Sequence, residues 1–286
     1  MPFKSILFPV DFSERSRAIV PHVQAACDRF KSALTLLRIV QVPVMAYGAI
    51  DSPIVFDFPL DDVIEDSKQR LREFAASFPG ISVSCVVQEG DPGICIAERA
   101  GEWKTDLIMM PTRGHGPFRA ALLGSVTAKV LHDAHCAVWT DAHCENPTLN
   151  HTDWRTIVCA IDTEAEAVRL IEYAAHLVKD VNAKLYLAHA VPSPEAGASR
   201  YMGGELTEFL KDTARQTIAR IESELGTSFN VCLEAGGVSE VVARAARAHE
   251  SDLVLIGRGL LPAFAGRFRS HVYSLVRDMP CPVLSV

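Results

Sequence analysis

Several things are missing from this chain, and each absence narrows what it can do. No apolar run approaches the ~20 residues that a membrane-spanning helix needs; the stretch around Val254, Leu255 and Ile256 falls far short. There is no excess of positive charge either. With 28 Lys and Arg against 35 Asp and Glu, the net charge is −7, which argues against a nucleic-acid partner, because phosphate-backbone affinity comes largely from clustered cations. The first residues carry no basic, then apolar, then small-residue pattern of a secretory leader, and a strand pattern begins by Phe3, so the expected location is cytoplasmic, with no membrane partner.

Paired cysteines are also missing. Cys27, Cys85, Cys95, Cys136, Cys144, Cys159, Cys232 and Cys281 form no Cys-x2-Cys motif, and their apolar surroundings read as reduced core residues. His132, His135, Cys136, His143 and Cys144 lie close in sequence, but their spacing matches no zinc pattern and no metal site is expected. Gly-x-Ser-x-Gly, Gly-x4-Gly-Lys-Ser/Thr and His-Glu-x2-His are all absent, so no catalytic constellation emerges, and any nucleotide hydrolysis is expected to be slow.

What is present is a 286-residue chain, 49% hydrophobic and 22% charged, the length and composition of about two globular domains. Strand patterns at Lys4 to Val10, Ala33 to Val40, Ile81 to Gln88, Leu107 to Met110 and Cys136 to Thr140 alternate with helical patterns. One helix starts at Ser13 and Glu14 and runs through Ala26; the others cover Asp61 to Phe78, Asp91 to Trp103 and Ser125 to Asp133. Strands separated by helices require right-handed parallel crossovers, which predicts a doubly wound sheet of about five strands.

The pattern then repeats. Arg155 to Asp162 restates Lys4 to Asp11, Lys184 to Pro192 restates the second strand with its terminal Val-Pro, Ser251 to Gly259 restates Thr105 to Gly114, and Arg277 to Val283 restates His132 to Val138. An internal duplication follows, with domains at 1–141 and 154–286 and a polar linker at 142–153. The last strands of the two halves would be open sheet edges, which are normally paired or covered. The expectation is that they pair with each other around a pseudo-two-fold axis, with a homodimer available through the apolar stretch from Val44 to Pro59.

Between the fourth strand and the next helix lies Met110-Pro-Thr-Arg-Gly-His-Gly-Pro-Phe-Arg-Ala-Ala-Leu-Leu-Gly-Ser-Val-Thr127. Gly114 is expected to take positive φ, Ser125 to cap the helix, and Ser125 and Thr127 to bring hydroxyls to its amide-rich end. A phosphate suits such a place. An ordinary capped turn has the same local pattern.

The set Val10-Asp-Phe-Ser-Glu14, Gln88-Glu-Gly-Asp-Pro92, Asp106-Leu-Ile-Met-Met110, Gly114-x9-Gly124-Ser125 and His135-Cys-Ala-Val138 resembles the universal stress protein family, in both halves. That resemblance implies two tandem Rossmann-like α/β domains of the adenine nucleotide alpha hydrolase type. It also implies a regulatory protein of the stress response whose partner is a nucleotide, ATP with Mg²⁺ as companion ion. The family's nucleotide contacts fall on Pro9, Val10, Asp11, Val40, Met110, Pro111, Gly114, Gly124, Ser125, Val126 and Thr127. These sit at strand C-terminal ends, where open α/β sheets keep their ligand crevice. Val10, Val40 and Met110 would sandwich the adenine, Asp11 would accept from base or ribose, and the loop would hold phosphates; His115, Arg113 and Arg119 fit either a phosphate contact or a solvated loop surface.

The family motif opens with a glycine where this chain has Pro111. In the second half, Gly257-Arg258-Gly259 is one residue shorter, and Arg269-Ser270 stands where the first half has Gly124-Ser125. One nucleotide per chain is therefore expected, in the first half.

Overall fold

The computed structural model describes residues 3–41, 59–114, 123–145, 152–162, 166–192, 203–258 and 266–286. The first half runs β1 (Ser5–Pro9), α1 (Glu14–Ala18), α2 (Val20–Phe30), β2 (Ala33–Val40), α3 (Leu60–Ala75), β3 (Val83–Glu89), α4 (Pro92–Glu102), β4 (Leu107–Pro111), α5 (Ser125–Asp133) and β5 (Ala137–Asp141). The second half runs β6 (Thr156–Ala160), α6 (Glu166–Val181), β7 (Lys184–Val191), α7 (Gly203–Leu225), β8 (Asn230–Ala235), α8 (Val238–Ala248), β9 (Leu253–Ile256), α9 (Gly266–Asp278) and β10 (Val283–Ser285).

The expected first helix is broken in two. Ser13 caps α1 by accepting from the Ser16 amide, and the helix stops at Ile19 before α2 restarts with Pro21 in its first turn. Proline has no amide to give to a continuing helix and is tolerated only near a helix start, so Pro21 sets the restart.

Within each half every strand pairing is parallel, in the orders β3-β2-β1-β4-β5 and β8-β7-β6-β9-β10. The halves form one ten-stranded sheet through a single antiparallel contact, β5 with β10, where Thr140 faces Val283 and Trp139 faces Leu284. An antiparallel pair between corresponding strands is what a two-fold relation between the halves produces.

Alternation along the strands divides the core. Ile6, Phe8, Leu34 and Leu36 pack with α2 and α3 on one face of the sheet, together with α6 and α7. Leu7, Leu37, Ile39 and Ile108 pack with α4, α5, α8 and α9 on the other. The duplication extends to a polar detail. Asp106 accepts from the amides of Lys4 and Ser5 at the start of β1, and Asp252 accepts from those of Arg155 and Thr156 at the start of β6.

The cysteine expectation needs one amendment. Cys27, Cys95, Cys159 and Cys281 are buried, whereas Cys85 is exposed, because β3 lies at an outer end of the sheet where covering is incomplete. The described residues contain no helix long and apolar enough to cross a membrane.

Candidate functional site

At the C-terminal ends of β1, β2 and β4 the structure has a cavity of about 670 Å³, a size typical of small-molecule sites. All eleven residues singled out in the sequence line it. Pro9, Val10 and Asp11 come from the end of β1, Val40 from β2, Met110 and Pro111 from β4, and Gly114 from the following loop. Gly124, Ser125, Val126 and Thr127 come from the start of α5. His115, Arg119 and the stretch 42–58 lie outside the described residues.

The structure corrects two local expectations. Gly114 does not adopt positive φ. Its missing side chain matters for another reason: a Cβ there would stand 2.4 Å from the Asp11 carboxylate oxygen Oδ2. Nor does Ser125 cap α5. It is the first helical residue, and the N-cap is Gly124 in extended backbone, with no side-chain cap. A Cβ on Gly124 would lie 3.1 Å from the Thr112 carbonyl. The residue that fits this approach is thus one that brings no oxygen of its own, which leaves the α5 end uncapped by any side chain.

Around that end, protein donors take up the neighbouring carbonyls. The Thr127 hydroxyl donates to Pro111 O at 3.1 Å, the Gly124 amide to Thr112 O at 2.9 Å, and Arg15 Nη1 to Gly114 O at 3.1 Å. Engaged carbonyls repel an anion less than free ones, so the wall between β4 and α5 presents net donor character. The same arginine also ties the loop to the segment after β5, since Arg15 Nε pairs with Glu145 at 3.1 Å.

The Asp11 carboxylate faces both the turn that follows it and the loop after β4. Its Oδ1 accepts from the Ser13 amide at 2.9 Å and the Ser16 hydroxyl at 2.6 Å, while Oδ2 borders Gly114. Phe12, at φ 64, turns the chain just after it. A bulky residue in the left-handed region is uncommon and is held there by its surroundings.

Sequence reasoning missed Ser16, Arg38, Ile39, Gln41, Val63, Pro92 and Ile96, which also line the cavity. At the lip of a sheet both faces of a strand border the crevice, so two-residue periodicity alone does not select them. One signal was available: Arg38 is the only charge in Ala33–Val40. Burial pushes its guanidinium below the usual range and Arg70 adds to that, while Asp11 opposes it.

The corresponding region of the second half differs. α9 and α5 end at equivalent aspartates, yet α9 has 13 residues and α5 has 9, so its N-terminus lies about one turn, or ~6 Å, further out. Arg269 and Ser270 fall inside α9, and Gly259 lies outside the described residues. Leu170 of α6 lies 3.4 Å from where a Gly257 Cβ would be. Arg258 reaches away to carbonyls of the first half. Among the described residues, no group of three or more His, Cys, Asp or Glu is arranged to hold a metal ion.

The model of the universal stress protein family matches residues 2–140 and again 153–286. A universal stress protein of Synechocystis is 32% identical over 143 residues, spanning 48% of this chain and 83% of its own length. One from Methanocaldococcus jannaschii is 28% identical over 137 residues, spanning 48% and 80%. A crystal structure of a universal stress protein from Archaeoglobus fulgidus covers 98% of this chain and 95% of its own, with a TM-score of 0.70 at 22% identity, a likeness of fold.

Proposed function

The chain belongs to the universal stress protein family, and on that footing we propose that its first half binds ATP, with Mg²⁺ as companion ion, and serves as a regulatory or interaction protein of the stress response. The observation that carries this reading is that the eleven residues implied by the family resemblance line one cavity whose far wall is the uncapped start of α5. Backbone amides at a helix start, backed by the helix dipole, suit a polyphosphate without a P-loop lysine. Apolar Val10, Val40 and Met110 suit a base, and Asp11 supplies an acceptor.

Under the same reading, residues 1–141 are the nucleotide-binding unit and 142–153 a linker. Residues 154–286 form a half whose longer α9 does not offer its amides at the same place. Each chain then takes up one nucleotide. The β5–β10 pairing makes the single chain a built-in pair, and a homodimer would be a further layer of assembly.

The test is nucleotide analysis of the supernatant from denatured, freshly purified protein, with calorimetric titration of the emptied protein by Mg·ATP. Wild type is expected to show one site per chain, and Gly124→Arg, which places a guanidinium at the helix start, is expected to lose it. Two equivalent sites, or unchanged binding in Gly124→Arg, would overturn this assignment. Absence of nucleotide from wild type together with no heat of binding would leave an interaction module working without nucleotide.

A further inference from the structure

At the end of the sheet formed by β8, away from the crevice, the second half brings a thiol and an imidazole together. Cys232 on β8 is half-buried, and its Sγ lies 3.2 Å from Nε2 of His249, the residue that closes the C-terminal end of α8. The imidazole lies flat on Tyr186 of β7, with ring centres 3.8 Å apart and planes inclined by 16°. The duplicated fold does not require this pair. α4 and α8 both have 11 residues, and each follows a positive-φ glycine, Gly90 or Gly236, whose amide donates to the last residue of the neighbouring strand. On that register the first half has Val86 in place of Cys232 and Trp103 in place of His249.

A positive charge developing on this imidazole meets the negative end of the α8 dipole and the face of the Tyr186 ring, both of which attract cations. The thiol stands in the opposite situation. Burial, and then Glu234, push it up, although Arg244 of α8 engages Glu234 at 2.8 Å. The thiol therefore does not ionise readily by itself, and its reactivity has to come from proton transfer to the nitrogen beside it. We propose that Cys232 is a modification site, a thiol that His249 activates toward hydroperoxides. Nε2 takes the Sγ proton, the thiolate attacks one peroxide oxygen, and the O–O bond breaks with its electron pair leaving on the other oxygen. The proton returned from His249 turns that oxygen into water or an alcohol, so the sulfur is oxidised to a sulfenic acid as the peroxide is reduced. A peroxide is small enough to reach a half-buried sulfur, and thiols in solution reverse the change through a mixed disulfide. The site is independent of the nucleotide reading of the first half.

The experiment treats the full chain with hydrogen peroxide in the presence of dimedone and reads each cysteine by peptide mass spectrometry. Cys232 is expected to be converted at least about tenfold faster than the more exposed Cys85, since a positioned base contributes ~10²-fold or more. His249→Gln keeps a polar partner for Sγ but no basic nitrogen, and should bring Cys232 down to the Cys85 rate or below. His249→Phe keeps a ring on Tyr186, should have the same effect, and carries the test if the glutamine variant does not fold. In both variants the Cys232 rate should rise about tenfold per pH unit, as for a thiol that must ionise unaided, and in wild type less steeply. Cys85 matching or outpacing Cys232 in wild type, or a wild-type Cys232 rate in either variant, would reduce the contact to a structural hydrogen bond and overturn the proposal.

Discussion

Arg258 of the second half donates to the carbonyl of Ala134 in the first at 2.7 Å. The same guanidinium reaches Leu131 O at 3.5 Å and the carbonyl of Cys136. These carbonyls surround the C-terminal end of α5, where a cation meets the negative end of the helix dipole. The opposite end of α5 borders the cavity. A residue from the half with the altered loop therefore holds the helix on which the proposed phosphate site is built.

Replacing Arg258 with methionine keeps the buried stem but leaves several carbonyls without their donor. The expected cost is about 2 kcal/mol, seen as a lower urea midpoint at unchanged m-value. If the midpoint does not move, the clamp contributes nothing measurable.

Gly114→Ala tests how closely the loop must approach β1. The new methyl would meet Asp11 Oδ2 at 2.4 Å, so either the carboxylate or the loop must shift. A loss of roughly 1–3 kcal/mol in stability is expected for such overpacking, together with at least about tenfold weaker ATP binding. Wild-type values for both would show that the approach is not restrictive.

Thr127→Val removes the hydroxyl that donates to Pro111 O at 3.1 Å, at a site only 2% exposed. Because the carbonyl stays buried, about 1–2 kcal/mol of stability should be lost in thermal unfolding. Thr127→Ser should restore most of it, since only the hydroxyl is at issue.

Asp278 provides a pH-dependent term. The Arg277 guanidinium, and then Ser239 of α8, hold its carboxyl below the usual range. A lowered folded pKa stabilises the fold above the unfolded value of ~3.9, and the contribution disappears as pH falls through the lower folded value. The stability difference between wild type and Asp278→Asn should be constant near neutrality and shrink in acid. A difference that instead grows in acid would reverse the assignment.

The eight cysteines should differ sharply in reactivity. Cys85 is exposed, while burial pushes the thiols of Cys27, Cys144 and Cys281 up to about 12 and Cys159 higher still. Brief maleimide treatment of native protein, read by peptide mass spectrometry, should label Cys85 well before these four. Comparable labelling of Cys159 would mean that the core opens readily.

The sequence was sufficient wherever the physics is local. Hydrophobic alternation marked the strands, recurrence of Lys4 to Asp11 at Arg155 to Asp162 marked the duplication, and the nine-residue gap between Gly114 and Gly124 marked the loop. It was insufficient where a residue's role depends on what packs beside it. Gly114 looked like a glycine needed for its backbone angle, and its actual constraint is the Asp11 carboxylate, 103 positions away in the chain.

Alone, then, the amino-acid sequence determined the repeated α/β plan, because that follows from periodicity and short-range turn chemistry, while the strand ends that line the crevice were implied by the family resemblance. Only the tertiary structure decided that Arg38, in the wall of that crevice, rests on the Phe12 ring, and that Arg258 caps a helix of the other half. Both carry a guanidinium on a long, flexible stem, and what such a group touches is set by distant segments; for Arg258 and Ala134 the separation is 124 residues.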